Sequence, residues 1–259
     1  MRRTLAALSL VLALGACASG GPLGPSGMPS SREAALNLQL ANAALAGGSA
    51  EDAIQLYQTV QAEEPGSIPA MLGLAAAQTA SGDPVAALAS YQEAHRLAPD
   101  DRIVSLGLAR KLLDLDRAGE AETLLRSLAG TAGTGPRDVT AWNMLGVALD
   151  RQGRHGEAQT VYRSGLALAP ASIPLRNNLA LSMALSGDPR EAIEILQLLP
   201  PSPGIAKRVR HNLAVALLAD GDEPAARELL AQDLAAAQLD AVMEQLRVLQ
   251  PVQTAQAAP

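Results

Sequence analysis

Chemistry in a 259-residue chain must start from a nucleophile, a proton carrier or a metal ligand, and here these are few. There is one thiol, Cys17, and there are three imidazoles, His95, His155 and His211. A zinc site needs nitrogen or sulfur ligands at short spacing. These histidines lie far apart, and none is spaced for a metal with Cys, Asp or Glu. A hydrolase would show a Ser-His-Asp order, a phosphate site a Gly-rich loop, and a zincin an HExxH run, and none is present. His155 falls in a turn and His95 on an outer helix, so both are expected to be solvated. Glu63-Glu64 and Asp100-Asp101 end or bridge repeating segments and read as solvated boundary charge. The residues argue against an enzyme and imply no cofactor and no metal.

Cys17 has the one specific context. It follows MRRTLAALSLVLALGA, in which Arg2 and Arg3 form a basic start and Leu5 to Ala16 an apolar stretch. That stretch is too short to span a bilayer, which takes about 20 residues, and it suits a signal peptide over residues 1–16. Leu14-Gly15-Ala16-Cys17 resembles the lipobox of bacterial lipoproteins. That resemblance implies lipidation of Cys17 by a diacylglyceryl thioether and an N-acyl chain, which together anchor stably where one chain alone would not. By the Gram-negative sorting rule, Ala18 implies the periplasmic face of the outer membrane. The alternative is a Sec signal with an incidental cysteine or a buried free thiol. Residues 17–32 then comprise the lipidated Cys and a Gly/Pro/Ser-rich flexible tether. Cleavage after Ala16 would remove two of twenty basic residues and leave twenty-six acidic ones, a net charge of −8. That balance argues against nucleic acid or an anionic lipid surface as the main partner.

The elements that would carry any site are helical. The chain is 48% hydrophobic but only 2% aromatic, so its core must be Leu, Ala, Val and Ile, and Ala and Leu cost little in a helix. Trp142 opens W-x₂-L-G-x₂-L, followed by Ala158, Tyr162 and Pro170. The leucine recurs as Leu40, Leu74, Leu108, Leu145, Leu179 and Leu213, and an alanine thirteen residues later as Ala53, Ala87, Ala121, Ala158, Ala192 and Ala226. A turn glycine recurs as Gly48, Gly82, Gly153, Gly187 and Gly221, with Asp116 in the third repeat.

This frame resembles the 34-residue tetratricopeptide (TPR) repeat. The resemblance implies an all-α TPR α-solenoid of about six helix-turn-helix repeats over 33–249. The repeats are expected at 34–67, 68–101, 102–135, 139–172, 173–206 and 207–240. A capping helix is expected at 239–249, built on Leu239, Val242, Met243, Leu246 and Leu249, with a disordered tail at 250–259. The frame leucine is expected to fill the interior of its own helix pair, and Trp142 to fill the core. GTAGTGPRD, residues 130–138, reads as a joint between two three-repeat halves. Asp83-Pro84 and Asp188-Pro189 read as N-cap and first helical residue.

In TPR proteins the first helix of each repeat lines a concave groove. The matching positions here are Asn143, Arg151, Asn177, Asn178, Arg208, His211 and Asn212, the expected partner-binding groove. An Asn side chain offers a donor and an acceptor to a peptide backbone. Arg176, Lys207, Arg208 and Arg210 would add a basic strip. The alternative is that all of these are solvated polar residues.

The order signal peptide, lipobox, tether, about six repeats and terminal helix resembles the TPR lipoproteins of tight-adherence (Tad/Flp) pilus assembly, the TadD family. QDLAAAQLDAVMEQLRVLQ is similar to that family's terminal helix. The resemblance implies a lipid-anchored protein-binding scaffold that assists the outer-membrane secretin or other pilus assembly components. It would touch the membrane through its anchor only and bind no nucleic acid. Two alternatives stay open: a pilotin of ordinary type IV pili, and a general envelope scaffold for cell-wall enzyme recruitment or outer-membrane protein assembly.

Overall fold

The computed structural model describes residues 31–130, 138–201 and 204–246. The lipobox, Cys17, most of the 130–138 stretch, Leu249 and the 250–259 tail lie outside the described residues. Within them the protein is all helical. The thirteen helices of the described residues are α1 (Arg32–Ala46), α2 (Ala50–Glu63), α3 (Ile68–Ala80), α4 (Pro84–Leu97), α5 (Arg102–Asp114), α6 (Ala118–Leu128), α7 (Val139–Arg151), α8 (His155–Leu168), α9 (Ile173–Ser186), α10 (Pro189–Gln197), α11 (Ala206–Asp220), α12 (Glu223–Ala231) and α13 (Ala236–Leu246). Helix α13 starts three residues ahead of the expected 239.

The turns explain the pairing. Gly48, Gly82, Gly153, Gly187 and Gly221 all have positive φ, the left-handed state that ends a helix and admits glycine without steric cost. In the third repeat Asp116 takes the same conformation at φ 59°, which Asp tolerates better than most residues. Asp83 caps α4 by accepting from the Ala86 N–H at 2.9 Å. Asp188 stands at the N-cap of α10 without a side-chain cap bond, so the two Asp-Pro pairs are not equivalent.

Two compact units divide the chain between Met144 and Leu145, inside α7 and not at the glycine-rich stretch. In the first, Ala53, Tyr57, Val60, Ala70, Leu74 and Ala77 build a core across α2 and α3. In the second, Leu218 and Leu230 cluster with Leu239, Met243 and Leu246 of α13, which covers the last pair. All six frame alanines are fully buried, which lets paired backbones approach. The frame leucines correct one expectation. Leu74, Leu108, Leu145 and Leu179 are buried, but Leu40 is 47% exposed although α2 packs on α1. Leu74 clusters with Tyr57 and Val60 of the preceding repeat, Leu213 is half-buried, and the first repeat has no predecessor among the described residues, so burial at this position depends on neighbours beyond its own pair.

The three tyrosines sit where a side chain is missing. A Cβ on Gly73 would lie 2.2 Å from the Tyr57 ring, one on Gly107 2.4 Å from Tyr91, and one on Gly146 2.2 Å from Tyr162. In the first two cases the ring belongs to the preceding repeat, and in the third to the glycine's own repeat. Trp142 is half-buried, with its indole Nε1 buried and without a hydrogen-bond partner, so it is not the full core filler expected.

Candidate partner-binding face

The candidate residues lie on α7, α9 and α11, the first helices of the last three pairs. Asn143 and Arg151 are half-buried on α7, one on each side of the unit division. Helices α9 and α11 pack together within the second unit and carry the other five. Asn177 is fully buried and Asn212 is 2% exposed, so these two amides are not open surface. Asn177 Nδ2 donates to Asn178 Oδ1 at 3.0 Å, while its own Oδ1 has no partner. Asn178, Arg208 and His211 are half-buried beside them, with the His211 Nε2 itself buried. The frame position alone did not separate the buried amides from the half-exposed ones, because both lie on the same helical face.

The basic strip is smaller than its sequence. Arg210 forks onto Asp233 just after α12, Nε to Oδ2 at 2.9 Å and Nη2 to Oδ1 at 2.6 Å, so its charge is largely satisfied internally. That fork holds the Asp233 carboxyl below its usual range. His211 Nε2 is 3.5 Å from Asp233 Oδ2, outside hydrogen-bond geometry. Burial lowers the His211 pKa, and Lys207 and Arg210 lower it further against the pull of Asp233, so the ring is neutral near pH 7. Arg176, Lys207 and Arg208 form no ion pair among the described residues. What remains is a neutral, hydrogen-bonding floor of Asn and His with three cations on the same two helices. It can hold a peptide backbone and an acidic side chain.

One cluster resembles a catalytic set but is not wired as one. Asp150 accepts from His155 Nδ1 at 2.9 Å, from the Tyr162 hydroxyl at 2.9 Å and from the Ser182 hydroxyl at 2.6 Å. A serine nucleophile must give its proton to the imidazole. Here Ser182 gives it to the carboxylate and is fully buried, out of reach of a substrate. The cluster joins α7, α8 and α9. Burial, reinforced by Asp150, pushes the Tyr162 hydroxyl pKa well up, which keeps the bond protonated. His155 is thus engaged and not solvated. His95 is likewise half-buried, its Nδ1 3.1 Å from the Ser105 hydroxyl. No group of three His, Cys, Asp or Glu among the described residues could hold a metal. Sequence reasoning missed Asp233 because Arg210 lies twenty-three positions away, and missed Asp150 although His155 and Tyr162 are only five and twelve positions off. The Tyr–Gly seats had a signal, a spacing of sixteen residues in all three.

Comparison with known proteins agrees on the fold. Family profiles described as tetratricopeptide repeat match residues 44–87, 78–137, 139–172 and 207–232, together more than half of the chain. A curated relative, the peroxisomal targeting signal receptor of Kluyveromyces lactis, is 33% identical over 105 residues, 40% of this chain and 18% of the receptor. The chain thus spans less than a fifth of that relative's length. A tetratricopeptide repeat protein from Parabacteroides merdae superposes with TM-score 0.67 at 14% identity, covering 82% of this chain and 84% of that one. PilW, described as a widely conserved type IV pilus biogenesis factor, gives 0.65 at 22% identity over 83% and 100%. Pseudomonas aeruginosa PilF gives 0.62 at 16% over 82% and 97%.

Proposed function

Because the chain belongs to the tetratricopeptide-repeat proteins, we propose that it is a non-enzymatic scaffold, lipid-anchored through Cys17 at the periplasmic face of the outer membrane, that assists Tad/Flp pilus assembly by acting on the secretin. A scaffold of this class binds protein segments on helix faces, and the α9–α11 surface supplies the hydrogen-bonding groups for it. The observation that carries the reading is the sequence order: a lipobox cysteine, a proline- and glycine-rich tether, then the repeat array. The acidic balance of the chain favours a protein partner over nucleic acid.

The test is co-purification from detergent-solubilised outer membranes. The secretin is expected to come down with the wild-type chain. Asn178→Ala with Arg208→Ala should weaken that capture without lowering the melting temperature, because both side chains are only half-buried. Separately, Cys17→Ser should shift the protein out of the outer-membrane fraction. Normal maturation and retention there would refute the anchor. A second reading, a pilotin of ordinary type IV pili, is favoured by the likeness to PilW over that chain's full length. Recovery of a type IV pilus secretin, and not the Tad one, would select it.

A further inference from the structure

We propose that the outer face of α1 is a second docking surface, independent of the concave face and of the membrane reading, and that it accepts an aliphatic amphipathic helix of a partner protein in the place of a preceding repeat. The stripe is Leu36, Leu40 and Ala43, at i, i+4 and i+7 on one side of the helix. Leu36 is 55% and Leu40 47% exposed, and Ala43 is exposed as well.

The repeat frame says what covers this stripe. The same three positions are Ala70, Leu74 and Ala77 in α3 and Leu175, Leu179 and Ser182 in α9, and all six are buried. Helix α3 packs against α2 and helix α9 against α8, in each case the second helix of the repeat before. The stripe on α1 is therefore the standard seat for such a helix, presented without one among the described residues. In the second unit α13 covers the last pair with Leu239, Met243 and Leu246. A face that α3 and α9 bury against the helix before them is shaped for a helix.

The seat also selects its occupant. In α3 and α5 a glycine leaves room for the tyrosine of the preceding repeat. The matching position in α1 is Gln39, which carries a side chain where those helices have none. Helix α11 has Asn212 there, and the helix packed on it, α10, presents Leu196 and no tyrosine. The pairing of α11 with the leucine-bearing α10 is one precedent for a leucine-bearing guest on α1. The only charged residues of α1 itself are Arg32 and Glu33, at its first turn and of opposite sign. A second copy fits less well. One helix face of about 22 Å by 10 Å offers roughly 200 Å², far below the ~800 Å² per partner of a stable dimer.

The test uses the full chain and, as probe, a hydrocarbon-stapled helix with the sequence of residues 188–199, DPREAIEILQLL, which spans α10. Fluorescence anisotropy should show saturable binding, weakened at least about tenfold by Leu36→Asp with Leu40→Asp and by Leu196→Ala in the probe. Both protein substitutions are on exposed positions, so the melting temperature should hold. Should the variant unfold, hydrogen exchange on the wild-type chain decides, with probe-dependent protection expected in Arg32–Ala46. No binding at about 1 mM probe, binding unchanged by the substitutions, or protection elsewhere would overturn the proposal. A wild-type dimer abolished by the Asp pair would overturn it too, in favour of a second copy.

Discussion

Gly146→Ala puts the tyrosine seat to the sharpest test. In an unconstrained helix the change should stabilise by about 1 kcal/mol, because alanine loses less backbone entropy. Here the new methyl would lie 2.2, 2.5 and 2.7 Å from Cε1, Cζ and Cδ1 of Tyr162. That ring is 1% exposed, and its hydroxyl is fixed to Asp150 at 2.9 Å. To make room the ring must move and weaken that bond. Overpacking costs about 1–3 kcal/mol, and loss of a hydrogen bond to a charged group about 1.5–3 kcal/mol. After the helix gain the net loss is about 1.5–5 kcal/mol. For a chain of this size that is a fall of about 3–20 °C in melting temperature. Urea unfolding followed by far-UV circular dichroism and by Trp142 fluorescence reads it, since Trp142 is one turn away on α7. Gly156→Ala is the control, because nothing stands within 4 Å of its would-be Cβ, and it should be neutral or slightly stabilising. In a Tyr162→Ala background the cost of Gly146→Ala should disappear. An unchanged melting point, or a cost that persists without the ring, would refute the seat.

Three further outcomes follow from the geometry. Gly187→Ala forces a side chain into φ 104° and should destabilise by about 1–2 kcal/mol in the same denaturation assay, despite open space around it. Met243→Ala, at a position 1% exposed, should cost about 2–5 kcal/mol and release α13, seen as faster hydrogen exchange over Ala236–Leu246. The Asp233 carboxyl is held low by Arg210, so its contribution is present above the ordinary carboxylate range and is lost as pH falls through its depressed value. Thermal melts between about pH 7 and pH 3 should therefore fall less steeply in Asp233→Asn than in wild type, and equal slopes would remove that link.

Much of the architecture is written locally. The turn glycines, the frame alanines and the Asp-Pro starts act within one repeat, so their 34-residue recurrence reports them directly. Asp116 shows the same logic from the other side, since it adopts the turn conformation that the missing glycine would have taken. What the sequence misplaced are contacts between repeats. Leu40 has the same identity as Leu74 and the opposite environment, because burial there depends on a neighbouring helix and not on the residue. Asn177 and Asn178 are adjacent and chemically identical, yet one is sealed and the other reaches solvent. Arg210 read as part of a basic strip because Asp233, which engages it, is twenty-three positions away and in no repeating frame. The face on α9 and α11 was legible in outline, as the polar side of two first helices, but not in which atoms it offers.

The contrast between an α1 left uncovered among the described residues and a covered α12 also bears on how such a chain can lengthen over generations. A gene duplication that placed one more hairpin ahead of Arg32 would meet a surface already suited to receive it, with two leucines and an alanine in register. An extra hairpin after α12 would first have to displace α13 and expose Leu239, Met243 and Leu246. Relatives with additional units should therefore have gained them at the amino-terminal end.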